Sequence, residues 1–167
     1  DETLVLNKPM GPWQTIAIDF LGPCKILPTK LKYFIVVLEH FSRWLEVKSV
    51  STPSTVAVIS FLQDLFLKEG VPKEVLTDNG VQFLSLEMQS FLRSNNILHI
   101  KMPLHSPKSN GRVERFNKIL VECIQLAVQN REDVPGAIKQ LIWSHRTTPH
   151  VATNLTPFEC MRGRKAV

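Results

Sequence analysis

Three strand-like segments follow one another before any helical pattern appears, and this order restricts the fold more than any other feature of the chain. Residues 14–21 (QTIAIDFL) set Thr15, Ala17 and Asp19 against Ile16, Ile18 and Phe20, and Gly22-Pro23 stops the run. Residues 32–40 (KYFIVVLEH) are apolar enough to be covered on both faces. Residues 43–50 (RWLEVKSV) alternate again, after a short turn at Phe41-Ser42. Such a succession reads as an antiparallel meander.

Alternation of helix and strand follows. Thr52 is the expected N-cap of a helix with Pro53 at its first position and Gly70 at its end. Val58, Phe61, Leu62, Leu65 and Phe66 form its apolar stripe. A strand is expected over 71–78, a helix over 85–94 and a strand over 96–102, stopped by Pro103. A long helix from Gly111 to about residue 130, a helix over 135–147 and a short helical turn near 156–162 complete the chain. The order β-β-β-α-β-α-β-α-α predicts an α/β fold: a five-stranded mixed sheet, three strands antiparallel and the others parallel, with helices on both faces. Residues 1–11 read as an entering linker, 12–150 as the core and 151–167 as an extension of it.

Two carboxylates meet in this layout. Asp19 lies in the later part of the first strand, and Asp78 ends the fourth, in LTDNGVQF. If those strands are parallel neighbours, both acids reach the carboxyl-end crevice where α/β sheets place ligands. Asp78 has a plainer reading, as a turn residue bonding nearby backbone, because Asn79-Gly80 tolerates positive φ. Glu114 is the third acid. In its helix Val113, Phe116, Leu120, Cys123 and Ala127 make one stripe, and Glu114 and Lys118 lie away from it. Its plainer reading is a helix-start acid that complements the dipole and pairs with Lys118.

Composition narrows the partners. Of 167 residues 44% are hydrophobic, enough for a core, and the formal net charge is +5. The basic residues gather at 108–118 and 162–165, which fits a polyanion. No apolar run approaches membrane-span length. Cys24, Cys123 and Cys160 lack zinc spacing and read as reduced thiols in a reducing compartment. The chain starts at Asp1 without a leader pattern and is expected to be a piece of a longer protein.

Five segments in order carry a resemblance: WQTIAIDFLGP, YFIVVLEHFSRWLE, LTDNGVQF, HSPKSNGRVERFNKIL and HRTTPHVATNLTPFECMRGRK. With 35 residues between Asp78 and Glu114, they resemble the catalytic core of retroviral-type integrases, most of all those of Gypsy-like retrotransposons and their domesticated relatives. The resemblance runs from Pro12 to Arg164. It implies a ribonuclease H-like fold and a metal-dependent polynucleotidyl transferase that performs 3′ processing and DNA strand transfer. Asp19, Asp78 and Glu114 would be catalytic and would bind two Mg²⁺ (or Mn²⁺) ions.

The same resemblance implies DNA contacts from Lys108, Asn110, Arg112, Arg115, Asn117 and Lys118. It implies element ends and target DNA as partners, a homodimer, no membrane, and action in the nucleus or a virus-like particle. It also implies flanking zinc-binding and C-terminal domains. A lone core is expected to manage only the simpler reverse reaction, disintegration.

The chain departs from the pattern in two places. His105-Ser106-Pro107-Lys108 replaces the usual His-Pro-Gln, and Glu39 stands where Asp is usual and is not counted as catalytic. The alternative reading is a domesticated, non-catalytic DNA-binding or dimerisation module.

Overall fold

The computed structural model describes residues 8–102 and 111–167. Its centre is a five-stranded sheet in the order β3-β2-β1-β4-β5. The strands are β1 (Thr15–Leu21), β2 (Tyr33–Glu39), β3 (Leu45–Val50), β4 (Glu74–Thr77) and β5 (Leu98–Lys101). β1, β2 and β3 form the antiparallel meander, and β4 and β5 extend it in parallel. The mixed sheet expected from the element order is therefore present.

The alternation in β1 sorts its side chains between two cores. Ile16 and Ile18 join Ile35, Val37 and Val75 on one face. That face is covered by α1 (Thr55–Glu69) through Val58, Leu62 and Leu65, by Phe83 of α2 (Val81–Leu84), and by α3 (Leu86–Ser94) through Met88 and Leu92. Ala17 joins Phe34, Val36, Leu38 and Leu76 on the other. There α4 (Gly111–Gln129) buries Val113, Phe116, Leu120 and Ile124, and α5 (Val134–Thr147) adds Ile138. β2, at the centre of the meander, is buried on both faces.

Local chemistry moves several expected boundaries. Ser54, not Thr52, caps α1: its hydroxyl accepts the Ala57 amide at 3.1 Å. Ile124, not Cys123, continues the buried stripe of α4. Cys123 is half-buried, with its thiol 3.7 Å from the Ala137 carbonyl of α5. The turn from β2 to β3 is tied by Glu39, whose fully buried carboxylate accepts the amides of Phe41 (2.9 Å) and Ser42 (2.6 Å) and the Ser42 hydroxyl. That network accounts for an acid at the end of a buried strand without assigning it chemistry. Gly22 closes β1 with φ +125°; a Cβ there would stand 2.6 Å from the Lys32 carbonyl.

The C-terminal segment is fastened to the sheet. Thr156 caps α6 (Pro157–Arg162), and Gly163 ends it in the left-handed region. Arg162 forms a bidentate pair with Glu69 at 2.7 and 2.5 Å. Two guanidinium groups lie over the Trp44 ring, Arg146 at 3.8 Å and Arg162 at 4.8 Å from its centre. No helix among the described residues is long and apolar enough to cross a membrane.

Candidate active site

The register of two parallel strands places the first two acids. Ala17 of β1 pairs with Leu76 of β4. Two residues further along each strand direction stand Asp19 and Asp78, level with one another. Side chains two apart share a face, and Ala17 and Leu76 both face the core under α4. Asp19 therefore points to the α4 side, and Asp78, one residue past the end of β4, leaves the sheet at the same height.

The first turns of α4 close over this edge. Val113 and Phe116 hold the helix against the sheet. Asn117, on the next turn, donates its amide to Asp19 Oδ2 at 3.0 Å. Glu114 is exposed, one turn earlier. Asp19 is half-buried, and its carboxyl is pushed up to about 6. Burial is the largest cause, the charge of Asp78 is next, and Glu114 adds in the same direction; bonds from the Phe20 amide and Asn117 oppose them. Two neighbouring carboxylates thus act on Asp19 electrostatically.

Asp78 keeps part of the turn reading made of it. Its Oδ1 accepts the Gly80 amide at 2.7 Å, as a turn residue would. Yet Gly80 has φ −59°, and neither Asn79 nor Gly80 is left-handed, so the expected positive-φ turn does not form. Gly80 answers a different need: a Cβ there would stand 2.8 Å from Asp78 Oδ1. Behind Asp78, the Thr77 hydroxyl donates to the Asp78 carbonyl at 2.9 Å and contacts His99 Nε2 at 2.6 Å. Gln89 meets His99 Nδ1 at 3.1 Å. If Thr77 spends its proton on that carbonyl, His99 carries its own on Nε2 and accepts from Gln89.

The donor set suits a hard divalent cation. Carboxylate oxygens are what Mg²⁺ and Mn²⁺ select. A cation near Asp19 would offset the burial and the like charge that raise its pKa, and among the described residues Asn117 Oδ1 is a further buried oxygen without a hydrogen-bond partner. Among the described residues, no three acid, His or Cys side chains are gathered to the spacing of ligands around one ion. Mutual repulsion of like charges opposes that gathering.

Of the residues expected to meet DNA, Arg112, Arg115 and Lys118 are exposed on the first two turns of α4. Asn117 is half-buried and engaged with Asp19. Lys108 and Asn110 lie outside the described residues, as do His105, Ser106 and Pro107. No ion pair joins Glu114 to Lys118 among the described residues, so the plainer reading of Glu114 loses its partner. Sequence reasoning missed the Asn117–Asp19 bond. The available signal was the three-residue spacing from Glu114, which puts Asn117 on the same side of the helix.

Comparisons with known proteins identify the family. The family model described as "Integrase core domain" matches residues 8–107. The chain is 34% identical over 158 residues to the uncharacterized protein K02A2.6 of Caenorhabditis elegans, covering 94% of this chain and 12% of that protein. It is 30% identical over 136 residues to the Gag-Pol polyprotein of avian reticuloendotheliosis virus, covering 80% and 12%. The chain thus spans about an eighth of the length of these relatives. Among solved structures it resembles a chain of the simian T-cell lymphotropic virus intasome in complex with PP2A regulatory subunit B56 gamma (TM-score 0.79, 21% identity, 97% of this chain and 59% of that one). It also resembles the HTLV-2 integrase catalytic core domain in complex with magnesium, dimeric form (TM-score 0.70, 22% identity, 92% and 99%). Fold, family match and viral relatives together establish that the chain belongs to the integrase core domain family, with its ribonuclease H-like α/β fold.

Proposed function

We propose that the chain is the catalytic core of a metal-dependent polynucleotidyl transferase acting on DNA, with Asp19, Asp78 and Glu114 as its acids. The observation that carries this reading is the register: Asp19 and Asp78 stand level on parallel strands, under the helix that brings Glu114. Strand transfer is an in-line attack of a hydroxyl on a phosphodiester. Two divalent ions held by the acids would supply charge stabilisation at the attacking and leaving oxygens.

The chain's own residues prepare that site. Asn117 orients Asp19 through Oδ2. The Gly80 amide fixes Oδ1 of Asp78, leaving Oδ2 to a ligand. Asp19 is charged above about pH 6, the value to which burial and then the charge of Asp78 raise it. Arg112, Arg115 and Lys118 offer cations to backbone phosphates beside the acids, which positions a strand without reading its sequence. The magnesium complex and dimeric form of the HTLV-2 core support Mg²⁺ (or Mn²⁺) and a homodimer. Element ends and target DNA as substrates, and a nuclear site of action, belong to the same reading.

The test is a disintegration assay with Mg²⁺ or Mn²⁺ on this chain and on Glu114→Gln. Transfer that falls by at least about a hundredfold in the variant supports the three-acid site. Absence of transfer from both proteins, with DNA binding kept, assigns the chain to the non-catalytic binding or dimerisation reading.

A further inference from the structure

A second concave site lies at the other end of β1. Thr15 lines it, and four residues of strand, about 13 Å, separate Thr15 from Asp19. The cavity has a volume of 580 Å³, within the range of small-molecule sites. Lys8, Arg43, Arg112, His40 and His150 contribute to its wall, and among the described residues no Asp or Glu does. Phe41, which is 42% exposed, adds an aromatic surface.

Among the described residues no ion pair engages Lys8, Arg43 or Arg112. Among the described residues, Arg43 Nη1 and His40 Nε2 are buried without a hydrogen-bond partner. Buried polar atoms without a partner are costly and call for an explanation. Arg43 also holds φ +66°, an unusual conformation for a side chain of this size. The turn tied by Glu39 holds it there, beside the cavity. Burial, then the charge of Arg112, lowers the Arg43 guanidinium, with Arg115 acting in the same direction. Burial and Arg112 likewise bring His40 down to about 4, so its ring is neutral at ordinary pH. Arg112 and Arg115 thus both act on Arg43, opposed by Cys160, and among the described residues no carboxylate lines the cavity.

We propose that this cavity is a nucleotide subsite, with a phosphate held by Arg43, Arg112 and Lys8 and a base lying against Phe41. The planar forks of Arg43 and Arg112 suit a phosphate. Stacking on Phe41 suits any base. The nucleotide could belong to a DNA strand or be free in solution; both present the same phosphate and base. The subsite does not depend on the three acids, and its occupancy needs neither metal nor strand transfer.

The test is isothermal titration calorimetry of the chain, without metal, using dAMP and a five-nucleotide single-stranded oligodeoxynucleotide. Arg43→Asn removes the cation while suiting the left-handed backbone, and Phe41→Ala removes the exposed ring. Saturable dAMP binding is expected to weaken tenfold or more in Arg43→Asn and several-fold in Phe41→Ala, with circular dichroism unchanged. Oligonucleotide binding tighter than dAMP, and equally sensitive to Arg43→Asn, identifies a DNA strand as the source. Equal affinities identify a free nucleotide. The proposal is overturned by the absence of saturable binding of either probe, or by binding indifferent to both variants.

Discussion

Asn117 and Asp19, 98 residues apart in sequence, are joined by a 3.0 Å hydrogen bond from amide to carboxylate. The bond lowers the Asp19 pKa against burial and the charge of Asp78, which raise it. On the proposed function it also fixes one oxygen of a carboxylate that would face a ligand. Asn117→Ala is expected to raise the Asp19 pKa further and to cut metal-dependent transfer by about ten- to a hundredfold, the scale on which residues behind a metal ligand act. Carboxyl NMR titration of Asp19 and a Mg²⁺-dependence of the rate check this. An unchanged pKa with a reduced rate would instead make Asn117 a DNA contact.

Gly80 gives a sharper geometric case. Its backbone is unstrained at φ −59°, so alanine is tolerated conformationally. The added methyl, however, falls 2.8 Å from Asp78 Oδ1. Gly80→Ala is therefore expected to displace the Asp78 carboxylate while changing stability by less than about 1–2 kcal/mol, the cost of losing one charge-assisted bond at a half-exposed site. The comparison is of denaturation midpoint with transfer rate. Wild-type activity would mean that the Asp78 carboxylate has no fixed role.

The legible parts of this protein are those with a period. Alternation in residues 15–20 assigns Asp19 to a face opposite Ile16 and Ile18, and the structure keeps that assignment. The stripe through Val113, Phe116 and Leu120 leaves Glu114 outside the core. Both patterns arise because one side of each element must leave water. What was not legible depends on groups brought together by folding. α2 spans four residues, too few for any period to register. The Asn117–Asp19 bond and the cavity beside Arg43 join residues from distant parts of the chain. Asn79-Gly80 misled for a related reason: a strong local turn signal gave way to a glycine needed for room beside Asp78.

Trp44 links the C-terminal segment to the sheet. It is 3% exposed, with guanidinium groups of Arg146 and Arg162 on its ring and Phe158 at 5.9 Å. Trp44→Ala is expected to cost about 3–5 kcal/mol, the usual price of truncating a buried aromatic. Loss of the two cation–π contacts is part of that cost. Arg162 would keep its pair with Glu69 but lose its platform. Urea denaturation measures the loss, and limited proteolysis should then cut first between residues 148 and 156. A loss below about 1 kcal/mol would show that the segment is held by Glu69 and α6 packing alone.

Asp19 links the site to stability through pH. Its carboxyl titrates at about 6 in the folded chain against 3.8 as the ordinary value. Between those values the folded state keeps a proton that the unfolded state has released. Stability therefore falls as pH rises through that window and is level above it. The full effect is about 1–3 kcal/mol after allowance for solvent screening. Asp19→Asn removes the penalty and should leave the Asn117 contact possible. The variant is expected to melt several degrees above the wild type at pH 7.5, by about 2–4 °C for each kcal/mol, and with little difference near pH 3.5. Mg²⁺ should raise the wild-type melting temperature at pH 7.5 and not that of the variant, since a cation relieves the same repulsion. A variant no more stable than wild type at any pH would show that Asp19 carries no burden of burial and like charge, and would remove the electrostatic argument for a cation there.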